Sequence, residues 1–94
     1  MHARIATWRI AAEDYAALDR EVAPVVVEIK AHPGYVAGYQ LRAAPDTVMT
    51  LSVWEDEASM DAAFASAAPK LAPLMQSGRM ERVDVQSYPA EEWA

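Results

Sequence analysis

Thr50, Ser52 and Trp54 recur at a spacing of two. A strand through Val48–Glu55 therefore turns all three to one face. An indole can stack on a planar ring, and two neighbouring hydroxyls can donate to or accept from the polar groups of a bound molecule. On the preceding strand, Tyr35 and Tyr39 lie four apart with Ala37 between them. Simple alternation puts both on one face, where the Tyr39 hydroxyl can enter a cavity as a weak acid or hydrogen-bond donor. His32 offers a reference pKa near neutrality and is the obvious candidate base. The candidate catalytic residues are thus Trp54, Tyr39 and His32. The candidate substrate-binding residues are Trp54, Thr50, Ser52 and Tyr39, joined by Met60 and Phe64 from the helix after Trp54.

Each of these residues also has a structural reading. Trp54 can seal the entry to that helix. Thr50 and Ser52 can serve as small residues that make room for a helix above the sheet. His32 stands just before Pro33-Gly34, at a helix C-terminus where the dipole favours a cationic imidazole. His2 is expected to be a solvated strand end. Two distant histidines, scattered carboxylates and no cysteine offer no metal-ligand spacing, so no metal or cofactor is expected. Nothing resembles a nucleophile elbow or a phosphate loop.

The elements that position these residues can be read from periodicity. Residues 3–10 are mostly apolar, β-branched or aromatic and predict strand one. Ala11-Ala12-Glu13-Asp14 opens a helix with acids at the positive end of its dipole. Tyr15, Leu18, Val22, Val25, Val26 and Ile29 then form one apolar stripe. Pro24 and the run Val25-Val26-Val27 leave a strand open there. A kinked helix is preferred because the stripe crosses the proline without a break. Strand two spans Tyr35–Arg42, Pro45-Asp46 suits a turn, and strand three spans Val48–Glu55. Helix two is expected from Asp56 or Glu57 to Ala67, with Met60, Ala63, Phe64 and Ala67 inward. Beyond it, Pro69 and Pro73 should break the chain into a short second piece carrying Leu71, Leu74 and Met75. Strand four is Met80–Tyr88, where Val83 and Val85 alternate with Arg82, Asp84 and Gln86. Residues 89–94 form a polar tail anchored by Trp93.

The order β-α-β-β-α-β predicts an α+β, ferredoxin-like fold: a four-stranded antiparallel sheet with two helices on one face. The 94 residues make one domain, 1–94, with its core at about 3–88. A net charge of −6 with scattered basic residues argues against nucleic acid and against anionic membrane surfaces. The sequence shows no membrane-length apolar run and no signal-peptide core near its start, so a cytoplasmic protein is expected.

Strand three predicts a partner. Its second face carries Met49, Leu51 and Val53, with no charge before Glu55. Two helices cover only one side of a four-stranded sheet. A second copy packed sheet to sheet covers the other, giving a homodimer through the helix-free face.

Pro33-Gly34-Tyr35 after helix one, and Val53-Trp54-Glu55-Asp56-Glu57-Ala58 before helix two, together with the element order, resemble the antibiotic biosynthesis monooxygenase (ABM) domains of the dimeric α/β-barrel superfamily. The resemblance covers about residues 3–88. It implies a dimeric α/β barrel with a pocket between sheet and helices in each protomer. It also implies a monooxygenase that needs no cofactor and acts on a small aromatic or quinol-like substrate. Two alternatives remain open: a non-catalytic small-ligand-binding or accessory protein, and, more distantly, a haem-degrading monooxygenase. Only part of the family's reactive groups is retained. Trp54 matches in both enzyme types. The haem-degrading type has an Asn on strand one, absent here, and a helix-two His where this chain has Phe64. The quinone-forming type has an Asn where this chain has Thr50 and a Tyr near Met60, and its Arg has no clear counterpart.

Overall fold

A computed structural model of the chain describes residues 1–93; Ala94, the last residue of the expected tail, lies outside them. Strand β1 (His2–Ile10) leads through a 3-10 turn (Ala12–Asp14) into helix α1 (Tyr15–Ala31). Strands β2 (Tyr35–Ala44) and β3 (Thr47–Trp54) form a hairpin, succeeded by helix α2 (Glu57–Gln76) and strand β4 (Met80–Pro89). The sheet order is β2-β3-β1-β4, and every neighbouring pair is antiparallel. This is the expected ferredoxin-like βαββαβ arrangement, with both helices packed on one face of the sheet. Among the described residues, no helix is long and apolar enough to cross a membrane.

Both helices tolerate internal prolines. Helix α1 passes through Pro24 without a break, so the strand alternative is not adopted. Helix α2 does not stop near Ala67 as expected; it runs on through Pro69 and Pro73 to Gln76. Each proline costs one backbone hydrogen bond, to the carbonyls of Ala65 and Pro69 respectively. Ala65, Pro69 and Pro73 are all exposed, so water can take up those carbonyls. The opposite side of the last two turns carries Leu71, Leu74 and Met75 into the core, and this packing holds the helix together. At its start, Asp56 has extended backbone geometry and accepts a hydrogen bond from the Ser59 N–H at 2.7 Å, an N-cap.

Three slips interrupt the register, at Val36 and Ala43 of β2 and at Val83 of β4, and the first and last change which side chains near the site share a face. In β2, Tyr35 is opposite Trp54 but Ala37 is opposite Val53, so Val36 is left unpaired. Beyond it, Gly38, Gln40 and Arg42 face the helices. Tyr39 falls opposite Leu51 on the helix-free side and is 62% exposed. The expectation that Tyr35 and Tyr39 share a face is thereby corrected. In β4, Asp84 pairs with Thr7 and Arg82 with Trp8, leaving Val83 unpaired. That slip brings Arg82 and Met80 to the helix side and ends the simple Val83/Val85 alternation.

Two further expectations change. His2 is buried rather than solvated, because its strand is central and its end lies between Trp54 and Pro89. Trp93 is 98% exposed and anchors nothing within its own chain.

The helix-facing side of the sheet holds two separate apolar clusters. Trp8, Ile10, Val48 and Met80 pack with Leu18 and the end of α2. Trp54 packs with Met60, Ala63, Ile29, Tyr35 and Phe64. Between the bulky residues of the two clusters, the three strands β1, β2 and β3 carry small or polar residues, among them Arg4, Ala6, Gly38, Thr50 and Ser52.

Candidate functional site

Bulk at both ends of the sheet and small residues in the middle leave a cavity of about 320 Å³ under α1. Its floor is Arg4, Thr50, Ser52 and Gly38, its roof the α1 stripe of Leu18, Val22, Val25 and Ile29, and Trp8 and Phe64 add aromatic walls. A Cβ at Gly38 would lie 2.8 Å from the Tyr35 hydroxyl, which reaches over it, so any side chain there would displace the Tyr35 ring. The size and mainly apolar lining suit one small aromatic molecule.

The two buried tryptophans aim their N–H groups at the floor. Trp8 Nε1 donates to Thr50 Oγ1 at 3.3 Å, and Trp54 Nε1 donates to Ser52 Oγ at 3.0 Å. Each hydroxyl oxygen is thus already an acceptor. A hydroxyl still has one proton to donate, and among the described residues neither donates it to a protein side chain. Both hydroxyls are therefore poised as donors beside the empty volume.

Arg4 is the floor's only charge. Its guanidinium stacks over the Phe64 ring, 3.8 Å from the centroid. Among the described residues it forms no salt bridge; the three ion pairs present are Arg9–Glu81, Lys70–Glu28 and Arg79–Glu21. Burial lowers its pKa from the ordinary arginine value, and the positive charge of Arg82 lowers it further. Its strand neighbours in register are Ser52 and Ser87, neither of them acidic.

The opposite end is polar and open. Tyr15 and Asp19 line it from α1, and Gln40 comes from β2. The Gln40 amide donates to the Tyr15 hydroxyl and, at 3.4 Å, to Asp19. Arg42 stacks on the Tyr15 ring at 3.6 Å. Between the helices, Lys70 and Ser66 both bind Glu28, and these bonds hold the Glu28 carboxyl below the usual range.

Of the residues singled out from sequence, Thr50, Ser52 and Phe64 line the cavity. Tyr39 borders it, but its register places the ring on the other face. Trp54 and Met60 lie behind the wall; Trp54 has no exposed surface and meets Tyr35 and Phe64 edge to face at 5.5 and 5.8 Å. His32 ends α1 outside the lining, with its backbone N–H donating to Ile29. Sequence reasoning passed over Arg4, Tyr15, Asp19 and Gln40. For Arg4 a signal was present: it is the one cation on the β1 face that carries Ala6, Trp8 and Ile10.

Comparison with known proteins agrees with this architecture. The family described as antibiotic biosynthesis monooxygenase matches residues 1–72. No curated protein matches the chain significantly. Among solved structures, the chain resembles SnoaB from Streptomyces nogalater, a cofactor-independent oxygenase, at 15% identity and a TM-score of 0.74, covering 98% of this chain and 94% of that one. It also resembles HapK from Hahella chejuensis at 21% identity and 0.75, covering 100% and 98%. A conserved protein from Methanosarcina mazei aligns at 19% identity and 0.77, covering 96% and 92%. At these identities the structural likeness shows the shared fold.

Proposed function

Since the chain belongs to the antibiotic biosynthesis monooxygenase family, we propose that it is a monooxygenase that needs no cofactor and acts on a small aromatic or quinol-like molecule. The observation that carries this reading is the cavity between sheet and α1, with its aromatic walls and its floor of unused donors. In the reaction, a phenol-type ring and dioxygen give a quinone and water. One oxygen atom enters the ring, the other leaves as water, and all four electrons come from the substrate. The protein holds the flat ring between Trp8 and Phe64, keeps bulk water away under α1, and steadies the ring oxygen with Thr50 and Ser52.

Oxygen uptake tests this. A panel of phenols, naphthols and hydroquinones should include at least one that drives uptake matched by quinone absorbance. Thr50→Val with Ser52→Ala should lower the rate about tenfold or more. No uptake with any member of the panel overturns the reading.

A second reading has its own support. Asp19 is the only carboxylate among the lining residues, no histidine is among them, and Asp19 sits at the open end under Gln40. A site without an inner base suits a non-catalytic binder of small aromatic ligands. Binding without oxygen uptake would select it. A haem-degrading activity finds less support, because Phe64 occupies the helix-two position and neither histidine lines the cavity. For the assembly, we propose a homodimer joined through the helix-free face. The mainly apolar Ile5, Met49, Leu51 and Val53 of that face support it.

A further inference from the structure

We propose that the cavity's ligand is a planar aromatic anion, its charged oxygen held by the Arg4 guanidinium with the hydroxyls of Thr50 and Ser52. This rests on the cavity being the ligand site of the proposed function and goes further, by naming the charge of the molecule it takes.

Three observations carry it. First, the floor is rich in unused donors: Thr50 and Ser52 each accept from a tryptophan and keep a free O–H, and beside them the Arg4 guanidinium only donates. Second, the charge on Arg4 is uncompensated among the described residues. A partly desolvated cation with no carboxylate partner is costly. Its surroundings make this worse, since Arg82 of β4 adds positive charge from the same side of the sheet, Lys30 of α1 lines the same cavity, and the Phe64 ring of α2 brings no charge. An anion arriving there removes that cost. Third, the cavity is polarised along its length. Arg4 and Phe64 lie at one end, and Tyr15, Asp19 and Gln40 at the other. A flat anion entering with its charge inward meets Arg4, and its ring lies beneath Val22 and Val25. The reverse orientation would set its charge against Asp19.

The anionic oxygen can belong to a carboxylate or to the ring itself. Fluorescence of the tryptophans reports binding of 2-naphthoate and of neutral 2-naphthamide, which has the same ring system. The bound absorbance of 4-nitrophenol reports ring ionisation. With the carboxylate source, naphthoate binds about tenfold to a hundredfold tighter than naphthamide. With the ring oxyanion, bound 4-nitrophenol ionises at a lower pH than the free compound. In either case Arg4→Gln, verified as folded by circular dichroism, abolishes the effect while naphthamide binding stays within a few-fold. Arg4→Lys keeps part of the effect, and Lys30→Gln keeps most of it. The proposal is overturned if neither probe shows an effect, if the effect survives Arg4→Gln, or if Lys30→Gln removes it instead. Anion preference without oxygen uptake would retire the monooxygenase and leave the role of Arg4 standing. Oxygen uptake that Arg4→Gln leaves unchanged would do the reverse.

Discussion

The Arg4 guanidinium lies 3.8 Å from the centre of the Phe64 ring, which in turn meets Trp54 edge to face at 5.8 Å. Cation, ring and buried indole form one stack joining β1, α2 and β3. Phe64→Leu keeps the apolar bulk and removes both aromatic contacts. It should cost about 1–2 kcal/mol of stability, seen as a lower urea midpoint at unchanged slope. A midpoint within error of wild type would show that the stack contributes nothing.

Trp54 and Trp8 make the same kind of bond to neighbouring hydroxyls but differ in position. Trp54 is wholly enclosed, whereas Trp8 lines the cavity. Trp54→Phe should therefore act on stability, by about 2 kcal/mol from the void and the orphaned Ser52. Aromatic-ligand affinity should change by less than about threefold, since a fully enclosed side chain touches no ligand. A large loss of affinity at unchanged stability would return Trp54 to the wall of the site.

Much of this arrangement can be read from the chain itself, and the part that cannot has a physical cause. The period-two run through Thr50, Ser52 and Trp54 and the 3.6-period stripe from Tyr15 to Ile29 each depend on a single element, and they survive in the structure. A bulge depends on two strands at once. Val36 and Val83 are ordinary strand-forming residues, and nothing in either strand alone marks them as unpaired. Those two slips moved Tyr39 out of the helix-facing side and brought Arg82 onto it. The prolines of α2 misled for a related reason: their cost is local, while the packing of Leu71, Leu74 and Met75 that offsets it is not.

Gly34 has φ +90°, and a Cβ there would come within 2.5 Å of the Ser59 side chain. Gly78 has φ +79° with open space around it. Both glycines incur backbone strain when replaced by alanine, about 1–2 kcal/mol, but only Gly34 adds a collision. Gly34→Ala should cost about 3 kcal/mol or more, Gly78→Ala about 1. Adding Ser59→Gly should recover about 1 kcal/mol of the Gly34 loss, measured as a double-mutant cycle. Equal losses at the two glycines would remove Ser59 from the explanation.

Asp56 caps α2, and the hydrogen bond from the Ser59 N–H holds its carboxyl below the usual carboxylate value. A folded-state pKa that is depressed gives stability above the unfolded value, about 4, which disappears as pH falls through the lowered folded value. Asp56→Asn can accept the same bond without the charge. Wild type should exceed this variant in urea midpoint at neutral pH, and the gap should close below about pH 4. A gap that does not vary with pH would assign the cap's contribution to geometry alone.

The helix-free face bears on assembly. Leu51 sits at its centre, in register with Ile5 on one side and Tyr39 on the other. Met49, Leu51 and Val53 are only partly buried in one chain, and Tyr39, Leu41 and Tyr88 remain largely exposed. Sheet-to-sheet packing of two copies would cover this layer. Sedimentation at micromolar concentration should then give twice the mass of one chain. Leu51→Glu would set a carboxylate within that apolar layer and should weaken association about a hundredfold or more. The isolated chain should keep its circular dichroism, because Leu51 belongs to neither cluster beneath the helices. A folded wild type with the mass of a single chain would show that this face is tolerated in water, and the barrel would lose its support.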